Sequence, residues 1–256
     1  MTAPAPPALP RVRRLIGLTA AMALAGQFAS PLSASDCSVD AMLVFDGSAS
    51  MAEIGFEASA LTRIDEAREA VRRAMPDIAA YRRVGLVTYG PEGVDSCSGI
   101  TRHFVPRADA APPIITAIDA LAPGGLTPLA ASVTVAAETL GYRTQPGVVV
   151  LVTDGNETCG GRPCALGDAL ARDAADLTVH VIGFRVEVDF WTWNNPEQEN
   201  SAHDRSVARC LAERTGGLYV TTETVEELVD ALKATLGCPV IGRLDPSEGT
   251  PGRSTG

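Results

Sequence analysis

Gly147-Val148-Val149-Val150-Leu151-Val152-Thr153-Asp154-Gly155 is an unbroken aliphatic run that stops at a hydroxyl, a carboxylate and a glycine. Apolar residues at both odd and even positions mark a strand buried on both faces, as in a parallel sheet covered by helices. Its end is turn chemistry, since aspartate and glycine favour strand-ending turns. The same pattern stands upstream, where Ala41-Met42-Leu43-Val44-Phe45 runs into Asp46-Gly47-Ser48-Ala49-Ser50. A third loop, Gly124-Gly125-Leu126-Thr127-Pro128-Leu129-Ala130, lies between them. If the two runs are neighbouring parallel strands, all three loops meet at the strand C-termini, where open α/β sheets bind ligands. Asp46, Ser48, Ser50, Thr127 and Asp154 then face one point. Oxygen donors without sulfur or imidazole suit a small hard divalent cation rather than zinc or copper.

The remaining segments alternate in the manner of one α/β domain. Ile64, Ala67, Val71 and Met75 recur at helical spacing and predict a helix from Thr62 to Met75, with Pro76 near its end. Arg83 to Tyr89 reads as the second strand, and Ile100 to Val105, of mixed polarity, as a third at an edge. Helices are expected after Pro112-Pro113 and over Leu129 to Leu140, since proline is tolerated in a first turn. Ala165 to Asp173 reads as helix, Leu177 to Val186 as strand, Ser206 to Thr215 as helix, Leu218 to Thr222 as strand and Val225 to Leu236 as helix. The connection Glu187 to Asp204 is long and carries Trp191 and Trp193, which either cover a groove on their own domain or anchor a partner.

Residues 1–35 carry Arg11, Arg13 and Arg14, an uncharged stretch from Leu15 to Ala25, and small residues around Ser33-Ala34-Ser35. That is the pattern of a secretory signal peptide, so a periplasmic or secreted protein without a transmembrane segment is expected after its removal. Residues 36–238 would form the domain, and the Pro-, Gly- and Ser-rich stretch 239–256 a flexible tail. The chain holds 21 Lys and Arg against 31 Asp and Glu, and losing the three signal arginines takes its balance to −13. Nucleic acid and anionic membranes are disfavoured as partners. Lys233 is the only lysine, an arginine-for-lysine bias typical of GC-rich bacterial coding.

Cys37, Cys97, Cys159, Cys164, Cys210 and Cys238 are an even set, which in an exported chain favours disulfides. Cys37 and Cys238 flank the domain and are expected to pair; Cys159 and Cys164 could bridge across Gly160-Gly161-Arg162-Pro163. The partners of Cys97 and Cys210 stay open. A cysteine zinc site is the rival, but Cys159-x4-Cys164 lacks a second close ligand pair.

These residues resemble the von Willebrand factor type A family, whose metal-ion-dependent adhesion site is written Asp-x-Ser-x-Ser, then a distant Thr, then a distant Asp. Asp46, Ser48, Ser50, Thr127 and Asp154 match in order, and Arg63-Ile64-Asp65-Glu66-Ala67, Gly125 to Leu129, Val152 to Cys159 and Cys210 to Tyr219 are similar to bacterial members. The likeness covers about Cys37 to Cys238. It implies a Rossmann-like, doubly wound, mostly parallel six-stranded sheet with one antiparallel edge strand and helices on both faces. It also implies that Ser48 and Ser50 bind Mg2+ directly (Mn2+ or Ca2+ being possible). Thr127 would bind directly or through water, and Asp46 and Asp154 through water or by orienting the hydroxyls. Ala49 stands where glycine is frequent in the family, a departure that matters only if its φ is positive.

Alone, Asp46-x-Ser48-x-Ser50 is better read as a turn whose hydroxyls cap the next segment. With Thr127 and Asp154 in register, the preferred reading is a non-enzymatic, exported, Mg2+-dependent module that recognises a carboxylate supplied by a protein partner. The alternative is a metallohydrolase, such as a phosphatase using Ser48 or a metal-bound water, for which the loops offer only Glu53 and Glu157 as bases. A third is an accessory subunit that docks onto an enzyme or surface assembly. His103 and His180 fall in strands, where packing roles are expected.

Overall fold

A computed structural model describes residues 37–54, 61–91, 96–186 and 207–238. The predicted signal at 1–35, the insertion with Trp191, Trp193 and His203, and the tail from 239 lie outside the described residues. Strands β1 (Ala41–Asp46), β2 (Val84–Tyr89), β3 (Thr101–Arg107), β4 (Pro146–Thr153), β5 (Asp176–Phe184) and β6 (Tyr219–Thr222) form one sheet in the order β3-β2-β1-β4-β5-β6. β3 runs antiparallel to β2 at the edge, and the other pairings are parallel. β1 lies between β2 and β4, with Phe45 opposite Thr88 on one side and Val152 on the other. The loops after β1 and β4 therefore emerge side by side.

The helices are α1 (Arg63–Ala79), α2 (Ala111–Asp119), α3 (Leu129–Leu140), α4 (Pro163–Asp173), α5 (Val207–Arg214) and α6 (Val225–Thr235). Alternation along β1 divides the core between two faces. Ala41, Leu43 and Phe45 pack with α1, α2 and α6, whereas Met42 and Val44 pack with α3 and with Leu170 and Leu211 of α4 and α5. Every residue of β1 is buried as a result.

Local boundaries differ from the sequence expectation where tertiary contacts intervene. α1 continues through Pro76 to Ala79, because Ile78 extends the buried stripe of Ile64, Ala67, Val71 and Met75, while Pro76 itself is exposed. β5 stops at Phe184 instead of Val186; Arg185 takes a φ of 50° and donates its N–H to Thr222 O at 2.8 Å. β3 runs on through Pro106, which an edge strand tolerates.

The disulfides correct one expected pairing. Cys37 bonds Cys238, but Cys159 bonds Cys97 and Cys164 bonds Cys210, so Cys159 and Cys164 are not joined to each other. Cys164 sits in the first turn of α4, and α4 packs on α5, where Gly167 lies against Leu211 and Asp168 pairs with Arg214 at 2.8 Å. Cys159 instead lies on the loop facing residues 96–98. Among the described residues no cysteine is free, which leaves none for a thiolate zinc site.

His180 of β5 accepts the Leu218 N–H through Nδ1 at 3.0 Å, which requires the neutral imidazole. Burial, helped by the Arg82 charge, pulls its pKa from 6.5 down to about 4. Below pH 6.5 the unfolded chain takes up a proton that the folded chain refuses. Stability present above pH 6.5 is therefore lost as the pH falls towards 4, by on the order of 2 kcal/mol after discounting for partial exposure. His180→Asn retains an acceptor and does not titrate, so the stability difference between wild type and variant should change across pH 6.5 to 4. A constant difference in thermal melts over that range would refute this.

Candidate metal centre at the strand ends

Asp46 is the last residue of β1 and is completely buried. Its Oδ1 accepts the Ser48 N–H at 2.8 Å, and its Oδ2 accepts the Tyr89 hydroxyl at 2.8 Å and the Thr153 hydroxyl at 2.7 Å. These donors come from its own loop, from the end of β2 and from the end of β4, so Asp46 pins three strand ends together. All three are uncharged. They orient the carboxylate without neutralising it.

Ser48 begins a short 3-10 turn, Ala49–Ala52, but its side chain does not cap that turn. Its hydroxyl lies instead 3.1 Å from the Ser50 hydroxyl, and Ser50 Oγ donates to Asp154 Oδ1 at 2.8 Å. The capping explanation for the two hydroxyls therefore fails at Ser48. Asp154 Oδ2 accepts Arg63 Nη1 at 3.1 Å; the same Nη1 reaches Glu53 Oε2 at 3.2 Å and Ser50 O at 3.5 Å. Arg63 and Asp154 are both buried, whereas the Glu53 side chain is mostly exposed. Ala49 does not have a positive φ, so alanine fits at a position where glycine is frequent in the resembled family.

Thr127 joins through its backbone. Gly124 N–H donates to Gly47 O at 2.9 Å and Ala49 N–H to Gly125 O at 3.2 Å, which binds the Thr127 loop to the Ser48 loop. Thr127 N–H donates to Thr158 Oγ1 at 2.8 Å, and Thr158 N–H returns a bond to Thr127 O at 3.1 Å. Gly125 and Gly90 make this interlacing possible: both have positive φ, and a Cβ on either would collide with a neighbouring loop's backbone. Side-chain bonds thus unite Asp46 with Tyr89 and Thr153, and Ser48 with Ser50 and Asp154, while main-chain bonds bring Thr127 alongside.

The electrostatics are those of a site short of positive charge. Burial first, and the Asp46 carboxylate second, push the Asp154 carboxyl from 3.8 up to about 7, against the lowering pull of Ser50 and Arg63. Burial and the Asp46 charge also push the Tyr89 phenol well above its usual 10. Two buried carboxylates and two adjoining hydroxyls form an oxygen donor set that fits a hard divalent cation. Among the described residues no three of His, Cys, Asp and Glu cluster as metal ligands, so such a site depends on the hydroxyls.

Residues 41–157 match the family model of the von Willebrand factor type A domain. That segment is similar to the domain the family model describes. Bacillus subtilis YwmC, an uncharacterized protein, is 27% identical over 151 residues, a match spanning 56% of this chain and 64% of that one. An aerotolerance-related membrane protein from Bacteroides fragilis superimposes with a TM-score of 0.55 at 15% identity, covering 78% of this chain and 98% of that one. Proximal thread matrix protein 1 of the mussel byssus, in a structure whose metal-ion-dependent adhesion site holds zinc, gives a TM-score of 0.52 at 18% identity over 78% of this chain and 46% of that one. At these identities the structural likeness is one of fold.

Three residues around the strand ends carry no site role in the sequence alone. Tyr89 and Thr153 support Asp46, and Arg63 pairs with Asp154. Arg63 stood in a quoted motif, but its spacing carried no sign that its side chain turns towards the strand ends. Glu157, one of the two offered bases, spends both carboxylate oxygens on backbone donors: Oε2 accepts Ala130 N–H and Oε1 accepts Cys159 N–H, each at 2.8 Å. Glu53, the other, pairs with Arg63. Trp191 and Trp193 lie outside the described residues.

Proposed function

We propose that this domain is an exported, divalent-cation-dependent binding module, with Mg2+ as its cation, that recognises a carboxylate of a protein partner. The observation that carries the reading is the chain of bonds from the Ser48 hydroxyl through Ser50 Oγ to Asp154, beside an Asp46 carboxylate met, among the described residues, by three uncharged donors. Ser48 and Ser50 would hold the cation directly, Thr127 directly or through water, and Asp46 and Asp154 through water or by orienting the hydroxyls. The bound cation supplies Lewis acidity. Arg63 already offsets one of the two buried negative charges, so the site would keep residual attraction for an incoming anion. Binding without turnover is favoured because Glu157 is held by two backbone donors and Glu53 is paired with Arg63. Export is supported by the three disulfides.

Ser48→Ala/Ser50→Ala is expected to lower Mg2+ and Mn2+ affinity at least about tenfold with the fold retained, by the loss of two oxygen ligands. Isothermal titration of both metals checks it. Equal affinity in wild type and variant would remove the hydroxyls from the site and the reading with them.

A further inference from the structure

The loops that carry Thr127 and Asp154 are stapled together from outside the ligand set. Residues 157–159 grip residues 127–130 through the paired Thr127 and Thr158 bonds and through Glu157, which joins Ala130 N–H to Cys159 N–H. Cys159 is then bonded covalently to Cys97. The segment around Cys97 returns to the same loops: Ser96 O accepts Leu126 N–H at 3.2 Å, and Gly99 O accepts Gly90 N–H at 3.0 Å, beside Gly47. The disulfide thus closes a ring of loops around the Thr127 and Asp154 positions. Cys97 is exposed and Cys159 half-buried, so the bridge lies at the surface of the domain, not in its core. Cys164–Cys210 joins α4 to α5 and Cys37–Cys238 joins the two ends of the domain; neither belongs to this ring.

We propose that the Cys97–Cys159 disulfide is a redox latch that positions the Thr127 and Asp154 loops, so that its reduction weakens divalent-cation binding while the fold persists. The inference rests on the metal-binding reading above. In the opening step one thiolate of an external dithiol attacks Cys97 Sγ, forming a mixed disulfide and expelling the Cys159 thiolate. The second thiol of the reductant then closes its own disulfide and releases Cys97, so two electrons pass from the dithiol to the protein. The covalent tie between residues 157–159 and the 96–99 segment is then gone, and the ring around the Thr127 and Asp154 loops is closed by hydrogen bonds alone, which open far more readily than a covalent link.

The test titrates Mn2+ into the full exported protein as wild type, Cys97→Ser/Cys159→Ser and Cys164→Ser/Cys210→Ser, with circular dichroism on each. A fourth sample is wild type exposed to graded dithiothreitol, alkylated, freed of reductant and mapped by mass. Cys97–Cys159 is expected to open first, and both that species and Cys97→Ser/Cys159→Ser to bind Mn2+ at least tenfold more weakly, with native circular dichroism. Cys164→Ser/Cys210→Ser should match wild type. Affinity within twofold of wild type in the latch variant, or equal weakening in both variants, would overturn the proposal. Should the serine variant not fold, the alkylated wild type reads the same quantity. Absence of Mn2+ binding in oxidised wild type would instead remove the metal reading on which the latch depends.

Discussion

Asp46→Asn is expected to weaken Mg2+ and Mn2+ binding by at least about 100-fold, near 3 kcal/mol, while leaving the fold intact. The substitution preserves shape and removes charge. Ser48 N–H can donate only, so the amide oxygen must stay on it. Tyr89 and Thr153 carry hydroxyls that can turn and accept, so the amide nitrogen can take their side. The network that pins three strand ends thus survives. What is lost is one of the two buried negative charges that would attract the cation. The loss has a second readout within the site. Asp46 is one cause of the raised Asp154 pKa, so in Asp46→Asn that carboxyl should titrate lower than its present value of about 7. Calorimetry with both metals, and carboxyl titration by NMR in metal-free protein, measure the two effects. Wild-type affinity in the variant would show that Asp46 is only a strut between strands.

Removing the bridge between the domain ends, with Cys37→Ser/Cys238→Ser, is expected to cost about 5 kcal/mol of stability. The two cysteines are 201 residues apart in sequence, so their bond closes nearly the whole domain into one loop and removes much of the unfolded chain's freedom. Against a typical total of about 5–15 kcal/mol, the variant would sit near the threshold of folding. The ends have other ties, which set the lower bound. Val148 N–H donates to Asp40 O at 3.1 Å beside β1, and Leu228, Leu232 and Leu236 of the C-terminal segment pack into the core with α1. Urea unfolding without reductant gives the number. A loss below about 1 kcal/mol would mean that these contacts hold the ends without help from the bridge.

Much of the architecture is legible in residue order. β1 and β4 read as strands buried on both faces because their neighbours in the sheet and the helices on either side leave no position of β1, and none of β4 after Pro146, exposed, and an uninterrupted aliphatic run is the direct trace of that. The polar mixture of Thr101, Arg102 and His103 belongs to a strand exposed along its outer side, and β3 is that edge. Leu129–Leu140 keeps its expected bounds, because Pro128 precedes it and Gly141, with a φ of 67°, closes it as a left-handed cap. Elsewhere local rules yielded to packing, as where buried Ile78 carries α1 past a proline that solvent can accommodate. The cysteines show the limit most directly. A four-residue gap between Cys159 and Cys164 invites a short bridge, but one side chain leaves a loop and the other a helix that faces α5.

The parallel sheet, and the three loops that carry carboxylate and hydroxyl oxygens at one end of it, follow from residue order alone. Strand burial, helical spacing and turn residues are patterns of a few neighbouring positions, and such patterns can be read in order along a chain. What stands behind those oxygens comes from long-range packing: Tyr89 and Thr153 on Asp46, Arg63 on Asp154, Glu157 under the start of α3, and Cys97 bonded to Cys159. Each of these contacts joins elements far apart in sequence, and depends on the direction in which a side chain leaves its own backbone. Spacing along the chain does not encode that direction; the packing of strands and helices around a shared core does.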